Sequence, residues 1–219
     1  MEALKLLDYL AEGFKGPAAV FMWASLLLGM FGAALVVERM YYIYFRSSFG
    51  RHKFMSDLFK LIKTGDFQRA IRFTAEYNLP IAKLMSGILL AKDQGANAIE
   101  RAIDEIWLTE TPKLMRYTPL IGMVANLATL MGLLGTVFGL IMSFDAVANV
   151  PAAQRSQALA AGIAVAMTAT AFGLGIAIVC LFFHGIIVNQ TERVQEEMDE
   201  KSKKISNILV DEVAAKAAK

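Results

Sequence analysis

Charge and cysteine are both scarce in this chain of 219 residues. Only 19% of the residues are charged, 56% are hydrophobic, and the mean hydropathy is +0.48. This composition is too apolar for an ordinary soluble domain and predicts a membrane protein with a soluble part. The single cysteine, Cys180, has no partner for an internal disulfide, and its apolar neighbours favour a buried small hydrophobe over a reactive thiol. The net charge of +2 gives no support for nucleic-acid binding.

The sequence also lacks the residue groups that carry enzyme chemistry. No nucleophile–base pair, phosphate-binding loop or metal-ligand cluster can be recognised in it. His52 stands alone, and His184 has no acidic neighbour in sequence. We therefore expect no catalytic activity, no bound metal and no organic cofactor. The N-terminus has no basic start followed by an apolar core, so no cleavable signal peptide is expected there.

Long hydrophobic runs are what the chain has in abundance. Three segments are free of charge over lengths that can cross a bilayer, which takes about 20 residues. They cover residues 16–37, 117–144 and 156–191. The second and third segments exceed one bilayer thickness, so their helices should tilt or project into water.

The basic residues predict how these segments are oriented. Twelve Lys or Arg residues lie from Arg46 to Arg116 and six follow Thr191, whereas two precede Gly16 and only Arg155 separates the second and third spans. The positive-inside rule places the basic loops in the cytoplasm. The predicted organisation is a periplasmic amphipathic N-terminal helix at 1–15, transmembrane helix 1 at 16–45, a cytoplasmic helical insert at 46–116, transmembrane helix 2 at 117–147, a periplasmic turn at 148–155, transmembrane helix 3 at 156–190 and a cytoplasmic amphipathic tail at 191–219.

The predicted fold class is an all-α integral membrane protein. Within the insert, apolar residues recur at helical spacing, and the Gly65-Asp66 pair and Pro80 interrupt the pattern, with Asp66 as a candidate N-cap. In the tail, an apolar stripe predicts contact with another helix or subunit, and a solvated helical extension is the alternative. The stripe consists of Val194, Met198, Ile205 and Leu209.

Polar side chains are regularly spaced in the second span. Thr129, Thr136 and Ser143 are seven residues apart, so on a helix they drift by only about 20° per step and form one stripe. Asn126 lies about 60° from Thr129 on the same helix, and the third span carries Thr170. Two interpretations remain open. The hydroxyls bond back to their own helix while neighbouring glycines allow close packing, or the stripe lines a narrow path for an ion or another helix.

The second and third spans contain no carboxylate. Intramembrane ionisable groups mark proton paths, and Asp145 lies only at the outer end of the second span. A carboxylate inside the membrane would therefore have to come from another chain.

Two motifs in these spans resemble the paired signature of the TolQ/ExbB/MotA family of proton-channel subunits. They are GLLGTVFGLIMSF at 132–144 and LAAGIAVAMTATAFGL at 159–174. The insert is similar as well, with GDFQRAIRF at 65–73 followed by LPIAKLMSGI at 79–88. The order of elements extends the resemblance over nearly the whole chain, and it is closest to the TolQ/ExbB branch.

The resemblance implies a homopentamer whose second and third spans ring a central pore. Two copies of a single-span partner similar to ExbD or TolR would lie in that pore, each with one membrane aspartate. Proton flow would drive movement of the partner and deliver work, directly or through a TonB- or TolA-like effector, from a bacterial inner membrane toward the outer membrane. The family's pore threonines correspond to Thr136 and Thr170. Asp145 would stand near the ion entrance, and Thr129, Ser143 and Asn126 would complete the predicted ion pathway.

Two residues depart from the TolQ/ExbB pattern. Val165 stands in GIAVAM where those proteins have a glutamate in GIAEAL, and Thr129 replaces a proline. These departures indicate a side branch that energises transport, gliding or outer-membrane processes. Sodium also remains open as the coupling ion, because hydroxyl and carbonyl oxygens suit hard cations. A membrane scaffold that conducts nothing is the alternative function.

Overall fold

The computed structural model describes residues 11, 13–16, 19–47 and 50–217, without the side chains of 211–217. Every regular element among these residues is helical, which confirms the all-α prediction. The α-helices are α1 at Ala19–Tyr41, α2 at Arg51–Lys63, α3 at Phe67–Ala75, α4 at Pro80–Ala91, α5 at Ala96–Met115, α6 at Thr118–Ala148 and α7 at Arg155–Ala217. The predicted N-terminal helix at 1–15 lies mostly outside the described residues.

Helices α1, α6 and α7 contain the stretches that are long and apolar enough to cross a membrane. Only 28%, 28% and 22% of the residues in these stretches are buried within the chain, so most of their side chains face outward. The exposed residues include large apolar ones such as Trp23, Leu27 and Phe182. Soluble monomers rarely expose continuous apolar surfaces of this kind, so these faces suit lipid or another protein.

The chain forms two compact units, and helices α1 and α7 contribute residues to both. We call them the membrane unit, which comprises residues 1–37 and 117–185, and the insert unit, which comprises residues 38–116 and 186–219.

A glycine sets how α1 packs in the membrane unit. A Cβ atom built on Gly32 would lie 2.9 Å from both the Cys180 sulfur and a Val124 methyl group. The contact brings α1, α6 and α7 together at one level, and only a residue without a side chain fits there. Cys180 is a buried free thiol within this packing, as the sequence predicted.

The insert unit has a hydrophobic core that α2–α5 and the last part of α7 build together. The predicted tail stripe of Val194, Met198, Ile205 and Leu209 is confirmed, since each of these residues is at most 1% exposed. They contact the insert helices of the same chain and belong to one continuous core. The tail is therefore a packed part of the insert unit, not a solvated extension.

Local signals in the sequence explain where the insert helices begin. Asp66 precedes α3 and accepts a hydrogen bond from the Arg69 backbone N–H at 3.1 Å, which confirms the predicted cap. Pro80 is the first residue of α4, where its missing N–H costs no helical bond. Gly95 precedes α5 with a φ of 94°, a conformation that side-chain-bearing residues rarely adopt.

Buried arginines connect elements of the insert unit that are distant in sequence. Arg39 is 1% exposed, lies over the Tyr42 ring and donates a hydrogen bond to the Leu114 carbonyl in the last turn of α5. Arg51 pairs with Glu197 at 2.6 Å and joins α2 to the tail part of α7. Neither contact could be predicted from helical periodicity, because both depend on tertiary packing.

The tail stripe supplies a stability test. Replacing Ile205, which is fully buried, with alanine should destabilise the protein by about 2–5 kcal/mol, because a cavity forms in the insert core. Ile208→Ala is the matched control: Ile208 lies on the same helix but is 37% exposed, and its loss should cost less than about 1 kcal/mol. Thermal unfolding of the detergent-solubilised variants measures both. Equal shifts in melting temperature would contradict the packed tail.

Candidate ion-pathway site

Helices α6 and α7 approach each other along a line of small residues, which we call the glycine seam. It consists of Gly132 and Gly139 on α6 and of Gly162, Ala166 and Gly173 on α7, and the buried Gly135 lies between the two α6 glycines. A Cβ on Gly132 would lie 3.2 Å from the Gly173 Cα, and one on Gly139 would lie 2.7 Å from the Ala166 Cβ. Backbone therefore meets backbone, as in membrane helix pairs that associate through small residues.

One hydroxyl of the predicted pathway crosses this seam. Thr170 on α7 donates a hydrogen bond of 2.7 Å to the Gly132 carbonyl on α6. The bond is possible because Gly132 has no side chain to hold the two helices apart. Sequence reasoning placed Thr170 on a face of its helix but did not identify this partner. The one feature of the sequence that could have suggested this partner was the presence of a glycine in the neighbouring span.

The hydroxyls of the α6 stripe bond back to their own helix. Thr129 donates to the Ala125 carbonyl at 3.1 Å, Thr136 to the Leu133 carbonyl at 2.6 Å, and Ser143 to the Gly139 carbonyl at 2.5 Å. This is the helix-packing chemistry that small hydroxyls adopt in apolar surroundings.

The burial of the stripe residues differs along α6. Ser143 is 4% exposed and occupies the seam itself, where a Cβ on Gly162 would overlap its hydroxyl. Thr129 and Thr136 are only partly buried. Thr136 follows Gly132 by four residues and precedes Gly139 by three, so it borders the seam on α6.

The other predicted pathway residues lie outside the seam. Asn126 and Asp145 on α6 are exposed in the single chain. The Asp145 backbone carbonyl accepts a hydrogen bond from the Asn149 side chain at 3.1 Å, near the end of α6. Val165, which stands where the resembled GIAEAL motif has a glutamate, is partly buried and precedes the seam residue Ala166.

An imidazole also lies between α6 and α7. A Cβ on Gly122 would lie 3.4 Å from the His184 Nε2 atom, so the ring packs against a bare stretch of α6 backbone. The sequence showed His184 inside an apolar run. Its neighbour on α6 could be found only from the pairing of the two helices.

The site as a whole is uncharged. From Thr118 to Phe144 and from Ser156 to Thr191 there is no Asp, Glu, Lys or Arg. The described residues also contain no group of His, Cys, Asp and Glu side chains suited to a metal. The arrangement can offer hydroxyl and carbonyl oxygens to an ion, but a carboxylate that exchanges protons has to come from elsewhere.

Comparison with known proteins identifies the family. A sequence profile described as the MotA/TolQ/ExbB proton channel family matches residues 75–200, more than half of the chain. The chain belongs to the MotA/TolQ/ExbB family. The match covers α4–α6 and the part of α7 that carries the glycine seam. This protein is therefore a membrane protein of a proton channel family, and no known enzyme activity attaches to that family.

Two relatives carry ExbB names. A biopolymer transport ExbB homolog of Methanothermobacter thermautotrophicus is 26% identical over 183 residues, which are 82% of this chain and 63% of that relative. A biopolymer transport protein ExbB-like 3 of Synechocystis sp. is 25% identical over 178 residues, which are 78% of this chain and 84% of that relative. The chain thus spans less than two thirds of the length of the first relative.

The glycine seam of this family member can be tested with two glycines on one helix. Gly173→Ala would place a Cβ 2.5 Å from the Ala128 carbonyl oxygen, so the helices must separate, at a cost of about 1–3 kcal/mol. Gly175→Ala meets nothing within 4 Å and should be neutral or slightly stabilising, because alanine favours a helix over glycine by about 1 kcal/mol. Thermal unfolding in detergent compares the two variants. Equal melting temperatures would contradict the close packing of α6 and α7 at the glycine seam.

Proposed function

We propose that this chain is the ring subunit of an ion-driven motor in the inner membrane. Five copies would surround a pore lined by α6 and α7, and two copies of an ExbD- or TolR-like single-span protein would occupy it. The observation that carries the proposal is the uncharged pair of family-signature spans, whose hydroxyls border or cross the glycine seam. A proton channel built on such spans needs a carboxylate from a second protein.

The proposed mechanism begins with a proton that enters near Asp145. It reaches the membrane aspartate of the partner and neutralises it. Neutralisation matters because a bare carboxylate in apolar surroundings costs several kcal/mol. The uncharged side chain can then pass along the ring wall until it faces Thr136 and Thr170 of the next subunit. There the proton leaves toward the cytoplasm, and the partner has moved relative to the ring.

The structural features of the chain fit this mechanism at two points. The Thr136 hydroxyl donates a hydrogen bond to the Leu133 carbonyl. The lone pairs of its oxygen therefore remain available to a carboxylic acid or an ion. The large exposed apolar side chains of α1, α6 and α7 provide surface for neighbouring subunits and lipid. We propose an N-terminus in the periplasm and a cytoplasmic insert, because the basic residues concentrate in the insert and tail.

Proton flow is the primary proposal, and sodium is its competitor. A hydroxyl at Thr129 adds an oxygen two turns from Thr136 on the same face of α6, and such oxygens suit hard cations. Work would be delivered to transport, gliding or outer-membrane processes, either by the partner or by a periplasm-spanning effector like TonB or TolA. A scaffold that conducts nothing would have the same glycine seam. Unlike the motor, it would not need the Thr136 hydroxyl.

The decisive variant is Thr136→Val, assayed as proton flux into liposomes that hold the chain together with its co-expressed partner. Loss of the hydroxyl should lower the flux about two- to tenfold, since the hydrogen bond that the partner's neutral carboxylic acid would donate to Thr136 contributes about 0.5–1.5 kcal/mol. The Thr136 hydroxyl bonds within its own helix and valine matches threonine in shape, so assembly should be unchanged.

Thr168→Val is the matched control for that experiment. Its hydroxyl bonds back to the Ala164 carbonyl at 2.8 Å on the same helix as Thr170, which it precedes by two residues. It should therefore conduct normally. Thr170→Val removes the cross-helix bond as well and cannot separate packing from conduction. Full flux in Thr136→Val would overturn the role of its hydroxyl, absence of flux in the wild-type complex would favour the scaffold, and sodium-dependent flux would favour the sodium motor.

A further inference from the structure

One titratable group near the proposed pathway has no role in the mechanism above. His184 is the sole histidine, aspartate, glutamate, lysine or arginine between Ser156 and Thr191, and the second span contains none of these residues. Imidazole is the side chain that exchanges protons most readily near neutral pH. An ionisable residue inside a membrane span is costly and usually marks a proton or ion path.

The position of His184 along the helices corresponds to the inner end of the apolar layer. Its ring lies against Gly122, and Gly122 precedes Asp145 by 23 residues on α6, or about 34 Å at 1.5 Å per residue. The hydrocarbon core of a bilayer is about 30 Å thick. If Asp145 marks the outer mouth, His184 therefore lies where the pathway has to meet the cytoplasm.

His184 also belongs to the helix face that carries the pathway threonine. It follows Thr170 by 14 residues, which on an α-helix returns it to within about 40° of the same direction. The two residues are separated by about 21 Å along the axis. Ala177 and Cys180 are buried between them.

The apolar spans around this imidazole carry no Asp, Glu, Lys or Arg. Within the described part of the chain, no hydrogen bond or ion pair involves His184. Gly122 brings no side chain, α6 carries no charge before Asp145, and α1 carries none before Glu38. The nearest titratable group on α7 is Cys180, one turn earlier, whose sulfur packs at Gly32. The ring is half-buried within the chain.

We propose that His184 is the proton exit group of this subunit. The inference rests on the proposed motor function. A proton released from the partner's carboxylic acid passes through water to the neutral imidazole: an O–H bond breaks and an N–H bond forms. The imidazolium then gives a proton to cytoplasmic water and returns to the neutral ring. The packing against Gly122 holds the ring between α6 and α7 at the inner mouth.

The chain is well suited to a direct test, because it contains only two histidines. In His52→Asn, the remaining imidazole signal belongs to His184, and its carbon and nitrogen chemical shifts can be followed by NMR in nanodiscs from pH 5 to pH 8. The proposal predicts a single titration within this range. A ring whose signals do not move would be sealed from water, and that result would overturn the proposal.

Proton flux into liposomes tests the role in transport. His184→Gln keeps a polar side chain of similar size but cannot carry a proton, so it should lower the flux about tenfold or more and change its pH profile. His52→Gln, in the exposed part of α2, is the control and should have no effect. Normal flux and an unchanged pH profile in His184→Gln would overturn the exit role alone. Absence of proton flux in the wild-type complex would overturn the motor function and this inference together.

Discussion

The close approach of α6 and α7 is the constraint on which the rest of the membrane unit depends. Two long apolar helices in lipid gain little from hydrophobicity alone, so they associate through backbone contact and interhelical hydrogen bonds. The glycine seam provides the first, and the bond from Thr170 to the Gly132 carbonyl provides the second. The seam fixes which residues border it, and in this way it sets the positions of Thr136 and His184.

The geometry of the second-span threonines suits both helix packing and the proposed conduction. Hydroxyls that bond back to their helix are tolerated in an apolar segment, which explains how the stripe can exist there. The same hydroxyls lie beside the seam on a partly exposed face, which in a ring would be available to a partner. The two interpretations are compatible, because helix packing fixes the positions of the hydroxyl oxygens that conduction would use.

Much of the fold follows from the sequence, and the exceptions have a common cause. Asp66, Pro80 and Gly95 act through local backbone chemistry, so their effects were predictable, as was the tail stripe that includes Val194 and Met198. The burial of Arg39 was not predictable, because it depends on the end of α5 that Arg39 contacts. In the site, periodicity identified the hydroxyl stripe. Periodicity could not show that Thr170 bonds to Gly132, since that contact depends on how α6 and α7 are rotated relative to each other.

The central claim is that this chain forms a ring that takes its carboxylate from a second protein. Native mass spectrometry of the complex, purified in mild detergent after co-expression with the neighbouring genes, tests it most directly. The account predicts five copies of this chain with two copies of a small single-span protein that has an aspartate in its membrane segment. A monomer or dimer that persists under gentle extraction would contradict the ring and leave the glycine seam as packing alone.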